Sequence, residues 1–582
     1  MKFSHLKQRV LLIILIVGSL FKPNCLNSQI IPVSFSELQV EGELRTRILK
    51  NFSRLEEEKY QPNNVFLTDR QSGDWPGDTE GRTILGLVLD AQSGHCSPKY
   101  LEEIINHIPE HLNNKGYMGK IYPSGIIDEQ QLAGNSWMLR GLCEYYAWKK
   151  DKRVLEIIKS IVNNLYLPIQ TDLENYPMDI SGRSKKVGGA MGQIEEQIGN
   201  WKLSSDIGCI FISLDGLTQA YRYVPSRELQ NTIESILNLF LRFDFVQIKA
   251  QTHATLTSLR GVLRYAQNSS RTNLVSEVEK RWELYKAYGM TENYANYNFF
   301  TRYNVATEPC AIVDSYLLVA QLWMTTNNPE YLKQMDLIYY NALSHGQRAN
   351  GGFGTDILSS PDSTSIRVNL PEAHWCCTMR GGEGLSKVAE YSYFTQKDTA
   401  YIVHYVNSIA TLHFSKKSLI TIKQKTDYPF SDGVSLTIIN AQRAGKLVIK
   451  LNSLTQWTEN VKVFINGIEQ KVKIEKGFIL LQSNWKTNDE IKLEYDSKIR
   501  IEKPINNDKF SNAYRKVFYG PLLLAYSGVE QIKINDSTQI KKISTGSFKI
   551  EGSDIKLGIL YHLLNPEVAK GIYKKQFIFS TQ

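Results

Sequence analysis

Apolar residues recur at three- and four-residue spacing from about residue 84 to 395, the period of helices with one buried face. The segments "RTILGLVLDAQ", "YLEEIINHIPEHL", "SWMLRGLCEYYAW", "RVLEIIKSIVNNLY", "LQNTIESILNLFLRF" and "DSYLLVAQLWMTT" carry it, separated by breaks rich in Gly, Pro and Asn. Roughly ten to twelve helices of ordinary length are predicted. So long a run of helical hairpins can close into an (α/α) barrel or stack as a solenoid, and the repeat signatures of solenoids are missing.

After about residue 398 the period changes to two. "AYIVHYVNSIATLHF", "SLITIKQKTDYPF", "GVSLTIIN", "KLVIKLNSL" and "VKVFINGIEQKVKIEKGFILLQS" alternate apolar and polar positions, with "DG" and "NG" turn signals between them. "KVFYGPLLLAYSG" at 516–528 continues the pattern. Strands this short and closely spaced predict one β-sandwich or two small ones. The expected layout is a leader over 1–28, a helical domain over 29–397 and a β-sandwich region over 398–582.

The leader is read from three blocks: basic "MKFSHLKQR", apolar "VLLIILIVGSLF" and polar "KPNCLNSQ". That order is a secretory signal peptide, and its apolar run is too short for a membrane span. Cleavage near Ser28–Gln29 is expected, with export to a periplasm; Cys25 lacks the small residues that precede a lipidated cysteine. No later apolar stretch is long enough to cross a bilayer.

Composition changes this picture little. Of 582 residues, 42% are hydrophobic and 22% charged, which is globular and soluble. The net charge of +9 comes from 68 Lys and Arg against 59 acids, spread without an arginine stripe or zinc-finger spacing, so nucleic acid is not an expected partner. Thirty-one Tyr and nine Trp suit a sugar-binding cleft as well as large cores.

The cysteines carry more information. Cys143 and Cys209 sit in apolar helical stretches, where buried free thiols are common. "EAHWCCTMRGG" instead places Cys376 and Cys377 side by side before a predicted helix, with Thr378 as its possible N-cap. In "NVATEPCAIVDSY", Pro309 suits the first position of a helix, so Glu308 and Cys310 flank a second helix start. Helix N-termini favour carboxylate and thiolate forms. Converged, Glu308, Cys310, Cys376 and Cys377 would suit a tetrahedral zinc ion. A scattered thiol and a chance pair fit the same spacing.

E-x-C opening a helix, followed far downstream by C-C before another, resembles glycoside hydrolase family 127, which comprises β-L-arabinofuranosidases and their relatives. The resemblance implies an N-terminal (α/α)6 barrel followed by C-terminal β-sandwiches, and a Zn2+ ion held by Glu308, Cys310, Cys376 and Cys377. It also implies that Cys376 is the nucleophile of a retaining glycosidase, with Glu292, sixteen residues before Glu308, as its acid/base. His253 in "QTHATLTSLRGV" matches a substrate-contacting histidine.

Three positions depart from the family pattern: His374 replaces a cysteine before the C-C pair, and Asn135 and Ser136 replace an early His-Glu pair. His374 and Asn135 are therefore candidate substrate contacts, and the sugar specificity is open. The expected activity is removal of a terminal β-L-arabinofuranosyl or related rare sugar from plant-type oligosaccharide or polysaccharide side chains. Hydrolysis of an acidic pectic sugar such as aceric acid is the alternative within the family. A carbohydrate-binding protein with structural zinc and an (α/α)-barrel polysaccharide lyase are alternatives outside it. Nothing in the sequence bears on the oligomeric state.

Overall fold

The computed structural model describes residues 29–66, 75–123, 125–178, 194–269, 271–358, 364–443, 445–505, 512–561 and 574–581. The predicted leader lies outside the described residues. Twelve helices of eight or more residues occur among those described, matching the apolar period.

Six of them are buried on nearly every side: α1 (Asp78–Gly94), α2 (Glu129–Lys149), α3 (Ser213–Ala220), α4 (Thr252–Ser269), α5 (Pro309–Thr326) and α6 (Cys377–Glu390). Each packs on the next and α6 packs back on α1, so the six close into a ring. The other six, such as Arg227–Arg242, lie outside it, each against one or two members of the ring. Arg227–Arg242 is amphipathic as an outer helix must be: it buries Leu229, Ile233, Ile236 and Phe240 along one stripe. The α1–α2 contact is backbone to backbone. A Cβ on Gly81 would lie 2.3 Å from the Met138 nitrogen, and one on Gly141 would meet the Gly81 carbonyl oxygen at 2.3 Å.

Buried ion pairs link the ring helices, beside a small apolar cluster that includes Leu89, Ala133, Trp137 and Ala254. Arg140 pairs with Asp215 at 2.9 Å and Glu383 at 2.8 Å, Arg264 with Asp215 at 2.7 Å, and Arg260 and Arg380 both with Asp314 at 2.5 Å. Burial works against the charge on Asp215 and Asp314, but the surrounding guanidiniums outweigh it and hold both below the usual carboxylate range. Breaking one such buried pair costs about 3–5 kcal/mol because the remaining partner is left charged and unpaired.

Two sheets follow. One is six-stranded and the other seven-stranded, and most of their strands lie between 393 and 497. Their inner residues, among them Ile420, Ile422, Leu436, Ile449 and Leu493, share the core of the helical ring. A further seven-stranded sheet, from Ile499–Glu502 to Phe579–Ser580, has a separate small core around Val517, Leu524 and Phe548. Strands from both ends of the chain join elements far from them, and the pairings of Leu38–Val40 and Lys574–Gln576 cross the expected boundary at 397. Ile31–Pro32 and Leu38–Val40 pair with Tyr393–Gln396 and Ser408–His413, and Lys574–Gln576 pairs with the hairpin strand Ser365–Leu370. Strand pairing satisfies backbone groups wherever an edge is free, whichever part of the chain supplies the strand.

Candidate active site

A cavity of about 290 Å³ opens where the ring helices begin. Asp78 and Arg82 reach it from the first turns of α1, His253 from α4, Glu308 from the N-cap of α5, and Cys376 and Cys377 from the start of α6. The positive ends of these helix dipoles therefore face one space, each favouring an anion by roughly 0.3–1 kcal/mol.

The three sulfurs singled out in the sequence converge. Cys376 and Cys377 Sγ are 3.4 Å apart, and Cys310 Sγ is 3.8 Å from Cys377 Sγ. All three thiols are free. Pro309 takes the first helical position after an extended Glu308, which is why Glu308 and Cys310 flank the helix start. Thr378 is not the cap expected of it: Cys376 occupies the N-cap, and the Thr378 hydroxyl donates to Glu372 Oε1 and accepts the Phe353 N–H. The cap residue must leave helical geometry, and a φ of −149° at Cys376 turns its sulfur toward the cavity wall. Cys376 and Cys377 line the cavity, and Cys376 is the more accessible of the two.

Charge is distributed unevenly over the sulfurs. Burial opposes ionisation of Cys310, but its contacts with Cys376 and Cys377, the Arg82 guanidinium and His253 prevail and hold its pKa well below the ordinary thiol value. Arg82 Nη1 donates to Cys310 Sγ at 3.3 Å. Cys376 is pushed up, chiefly by its hydrogen bond to Cys310, and Cys377 is pushed up chiefly by burial.

Cys310 also belongs to a second group with His253 and Glu308, in which one ligand atom from each residue lies within 4.8 Å of the others. His253 Nδ1 is 3.0 Å from Glu308 Oε1, and its Nε2 is 3.4 Å from Asp314 Oδ2. Its ring stacks on Trp137, whose face also receives the guanidiniums of Arg82 and Arg380. Burial lowers the His253 pKa, but the Glu308 carboxylate more than compensates, so it stands above the usual imidazole value. Both groups offer donor sets for a metal ion, and three thiolates with one carboxylate match the preference of a soft divalent cation.

Glu292 is buried in the loop before α5 and does not line the cavity. Its Oε2 accepts the Ile505 N–H at 2.7 Å and lies 2.9 Å from Lys516 Nζ. The same loop is fastened to the cavity by Asn296, whose Oδ1 accepts the Glu308 N–H at 2.8 Å. Asn296 had no distinguishing signal in the sequence beyond its nearness to Glu308.

The remaining candidates do not line the cavity. The half-buried His374 ring packs edge-on against Trp375, its carbonyl accepts the Tyr60 hydroxyl, and Trp375 rather than His374 lines the cavity. Asn135 is fully buried. Its amide donates to the Pro76, Met118 and Gln131 carbonyls and accepts the Met118 N–H, which fixes the turn leading into α1. Residues missed in the sequence reading include Asp78, Arg82, Trp137 and Gln251. Of these only Asp78 and Arg82 carried a readable signal, a carboxylate and a guanidinium one helical turn apart in "DTEGR".

Residues 399–497, most of the first two sheets, match the family described as beta-L-arabinofuranosidase, GH127 middle domain. Among solved structures, the GH127 β-arabinofuranosidase BT3674 superposes with a TM-score of 0.68 at 14% identity, over 95% of this chain and 97% of its own. The GH127 β-L-arabinofuranosidase Ara127N from Geobacillus stearothermophilus T6 does so with a TM-score of 0.67 at 12% identity, over 93% and 99%. No curated protein sequence matches the chain. The resemblance to family 127 is thus supported in fold over more than nine-tenths of the chain, and in sequence over the middle sheets.

Proposed function

We propose that the protein is an exported, retaining glycoside hydrolase that removes terminal β-L-arabinofuranosyl groups from plant-type glycans, with Cys376 as nucleophile and Glu292 as acid/base. The observation that carries this reading is the meeting of Cys310, Cys376 and Cys377 at one end of the helical ring, with Cys376 on the cavity wall. Six inner and six outer helices are read as the (α/α)6 barrel that the family resemblance implies.

Glu308, Cys310, Cys376 and Cys377 would hold the zinc ion. When bound, zinc supplies charge compensation that keeps sulfur deprotonated near neutral pH and makes a thiolate a better leaving group. In the first step Cys376 Sγ attacks the anomeric carbon as the glycosidic C–O bond breaks, and the Glu292 carboxyl gives its proton to the departing oxygen. In the second, the Glu292 carboxylate takes a proton from water, the water oxygen bonds the anomeric carbon, and the C–S bond breaks to return the thiolate. His253 and Asp314 hold Glu308 in place during both steps, and Arg82 offsets the negative charge of the sulfurs.

The lining favours a neutral sugar over the acidic alternative. Three carboxylates, Asp78, Asp206 and Glu308, face the cavity against Arg82 and His253, and Arg82 is already committed to Asp78. A substrate carboxylate would enter an acidic wall, whereas sugar hydroxyls can donate to it. The test is sugar release from a β-L-arabinofuranoside by the purified protein, its Cys376→Ala and Glu292→Gln variants, and elemental analysis for zinc. Cleavage that survives both substitutions in folded protein would refute the mechanism; release of an acidic pectic sugar instead would move the substrate to the alternative.

A further inference from the structure

The partner of Glu292 comes from a distant part of the chain. Lys516 lies in strand Tyr514–Tyr519 of the last sheet, and its Nζ sits 2.9 Å from Glu292 Oε2 and 3.0 Å from the Glu292 main-chain oxygen. Both side chains are almost fully buried, at 1% and 3% exposure. The neighbouring strand offers Lys516 another carboxylate, since Glu502 is its direct cross-strand partner. Glu502 is instead held by Arg500 at 2.8 Å, and the Lys516 ammonium turns inward between the Tyr294 and Phe518 rings.

A buried ion pair is a costly way to dock a sheet on a helical ring, because desolvation offsets much of the attraction and apolar side chains do the same work. We propose that Lys516 is the positioning residue for Glu292, so that the C-terminal sheet completes the catalytic centre; this rests on the reading of Glu292 as acid/base. Lys516 fixes the Glu292 residue at two points, carboxylate and backbone. Together with the Ile505 N–H it also keeps Oε2 an acceptor. One ammonium thus sets the place of the carboxyl group through both its side chain and its backbone.

The experiment compares kcat/KM for two substrates, a nitrophenyl β-L-arabinofuranoside, whose leaving group needs little protonation, and the methyl glycoside, which needs a general acid. Full-length Lys516→Met, Lys516→Arg, Glu292→Gln and the Lys516→Met/Glu292→Gln double variant are measured, with melting temperature as a check on folding. Lys516→Met is expected to lower kcat/KM for the methyl glycoside by about 30-fold or more and for the nitrophenyl glycoside by about 3-fold or less, as loss of positioned acid catalysis implies. Lys516→Arg should recover part of the loss, and in the Glu292→Gln background the lysine substitution should add about 2-fold or less. Equal losses on both substrates, or losses that multiply in the double variant, would reduce Lys516 to a structural role. Loss in Glu292→Gln with none in Lys516→Met would overturn the positioning inference alone. Full methyl-glycoside activity in Glu292→Gln would overturn the acid/base reading and this inference with it.

Discussion

Arg82 Nη1 lies 3.3 Å from Cys310 Sγ while its guanidinium rests 4.0 Å above the Trp137 ring. Asp78, one turn earlier on α1, accepts from Arg82 Nε at 2.9 Å, so the arginine bridges a carboxylate and a sulfur in a buried setting. A buried thiolate needs such a cation. Arg82→Met keeps most of the side-chain bulk and removes the donors. It should lower kcat/KM by about 10- to 100-fold, the loss expected for a charge-assisted hydrogen bond of ~1.5–3 kcal/mol. Arg82→Lys should recover only part, because an ammonium cannot reproduce the planar fork that meets both partners. Steady-state kinetics with circular dichroism checks this; wild-type kinetics in Arg82→Met would show that the cation is dispensable.

Metal removal is the second prediction. If Glu308 and the three sulfurs hold zinc, a thiolate-competent chelator should abolish activity, and zinc should restore it. The melting temperature should fall by several degrees, because a ligand at 1,000 times its Kd contributes about 4 kcal/mol. Cys377→Ser should bind less zinc and lose activity while keeping the helical circular dichroism. Full activity in protein shown to be metal-free would contradict the zinc assignment.

The two halves of the fold were legible for different reasons. Helices such as Arg227–Arg242 and strands such as Lys446–Asn452 each have one buried face, so their periods survive in the residue order. The ring helices were less direct: α1 and α2 bury Asp90, Arg140 and other polar residues, and closure depends on contacts that no local pattern records. In the site, Glu308, Cys310, Cys376 and Cys377 could be found because rare residue types stood at helix starts. Trp137, Asp314 and Lys516 could not, because each acts through a partner far away in the chain and each is an unremarkable residue where it stands; for Arg82 the nearby Asp78 was readable, but its contact with Cys310 was not. The role of Asn135 was equally hidden, since an asparagine that caps a turn and one that meets a sugar look alike in sequence.

Trp375 gives a third prediction. It precedes Cys376 directly, lines the cavity and remains 42% exposed, so an apolar ring lies at the entrance beside the proposed nucleophile. A ring in that place suits stacking against the group beyond the scissile bond, worth about 0.5–1.5 kcal/mol. Trp375→Ala should raise KM about 3- to 10-fold for oligosaccharide substrates and change kcat little, with Trp375→Phe between the two. A fall in kcat at constant KM would place the ring in the chemistry instead.

The fourth prediction concerns pH and a carboxyl group away from the cavity. Asp90 is fully buried in α1; its Oδ1 accepts the Ser386 hydroxyl at 3.0 Å, and its Oδ2 has no hydrogen-bond partner among the described residues. Burial pushes its pKa well above the usual carboxylate value, the Ser386 bond opposing only weakly. In the unfolded chain the group ionises near its ordinary pKa of about 4. The folded state binds the proton more tightly, so stability is full below that value and is lost as pH rises through the folded pKa. Asp90→Asn removes the ionisation, and its amide N–H can serve the Asn51 Oδ1, which also lacks a hydrogen-bond partner and faces the same spot beside Gly382. Relative to wild type, the variant should be more stable by about 1–3 kcal/mol at pH 8, the cost of an unsatisfied buried polar group, and nearly unchanged at pH 4. Melting curves at the two pH values decide the matter: an equal shift at both would mean that the Asp90 carboxyl does not ionise differently on folding.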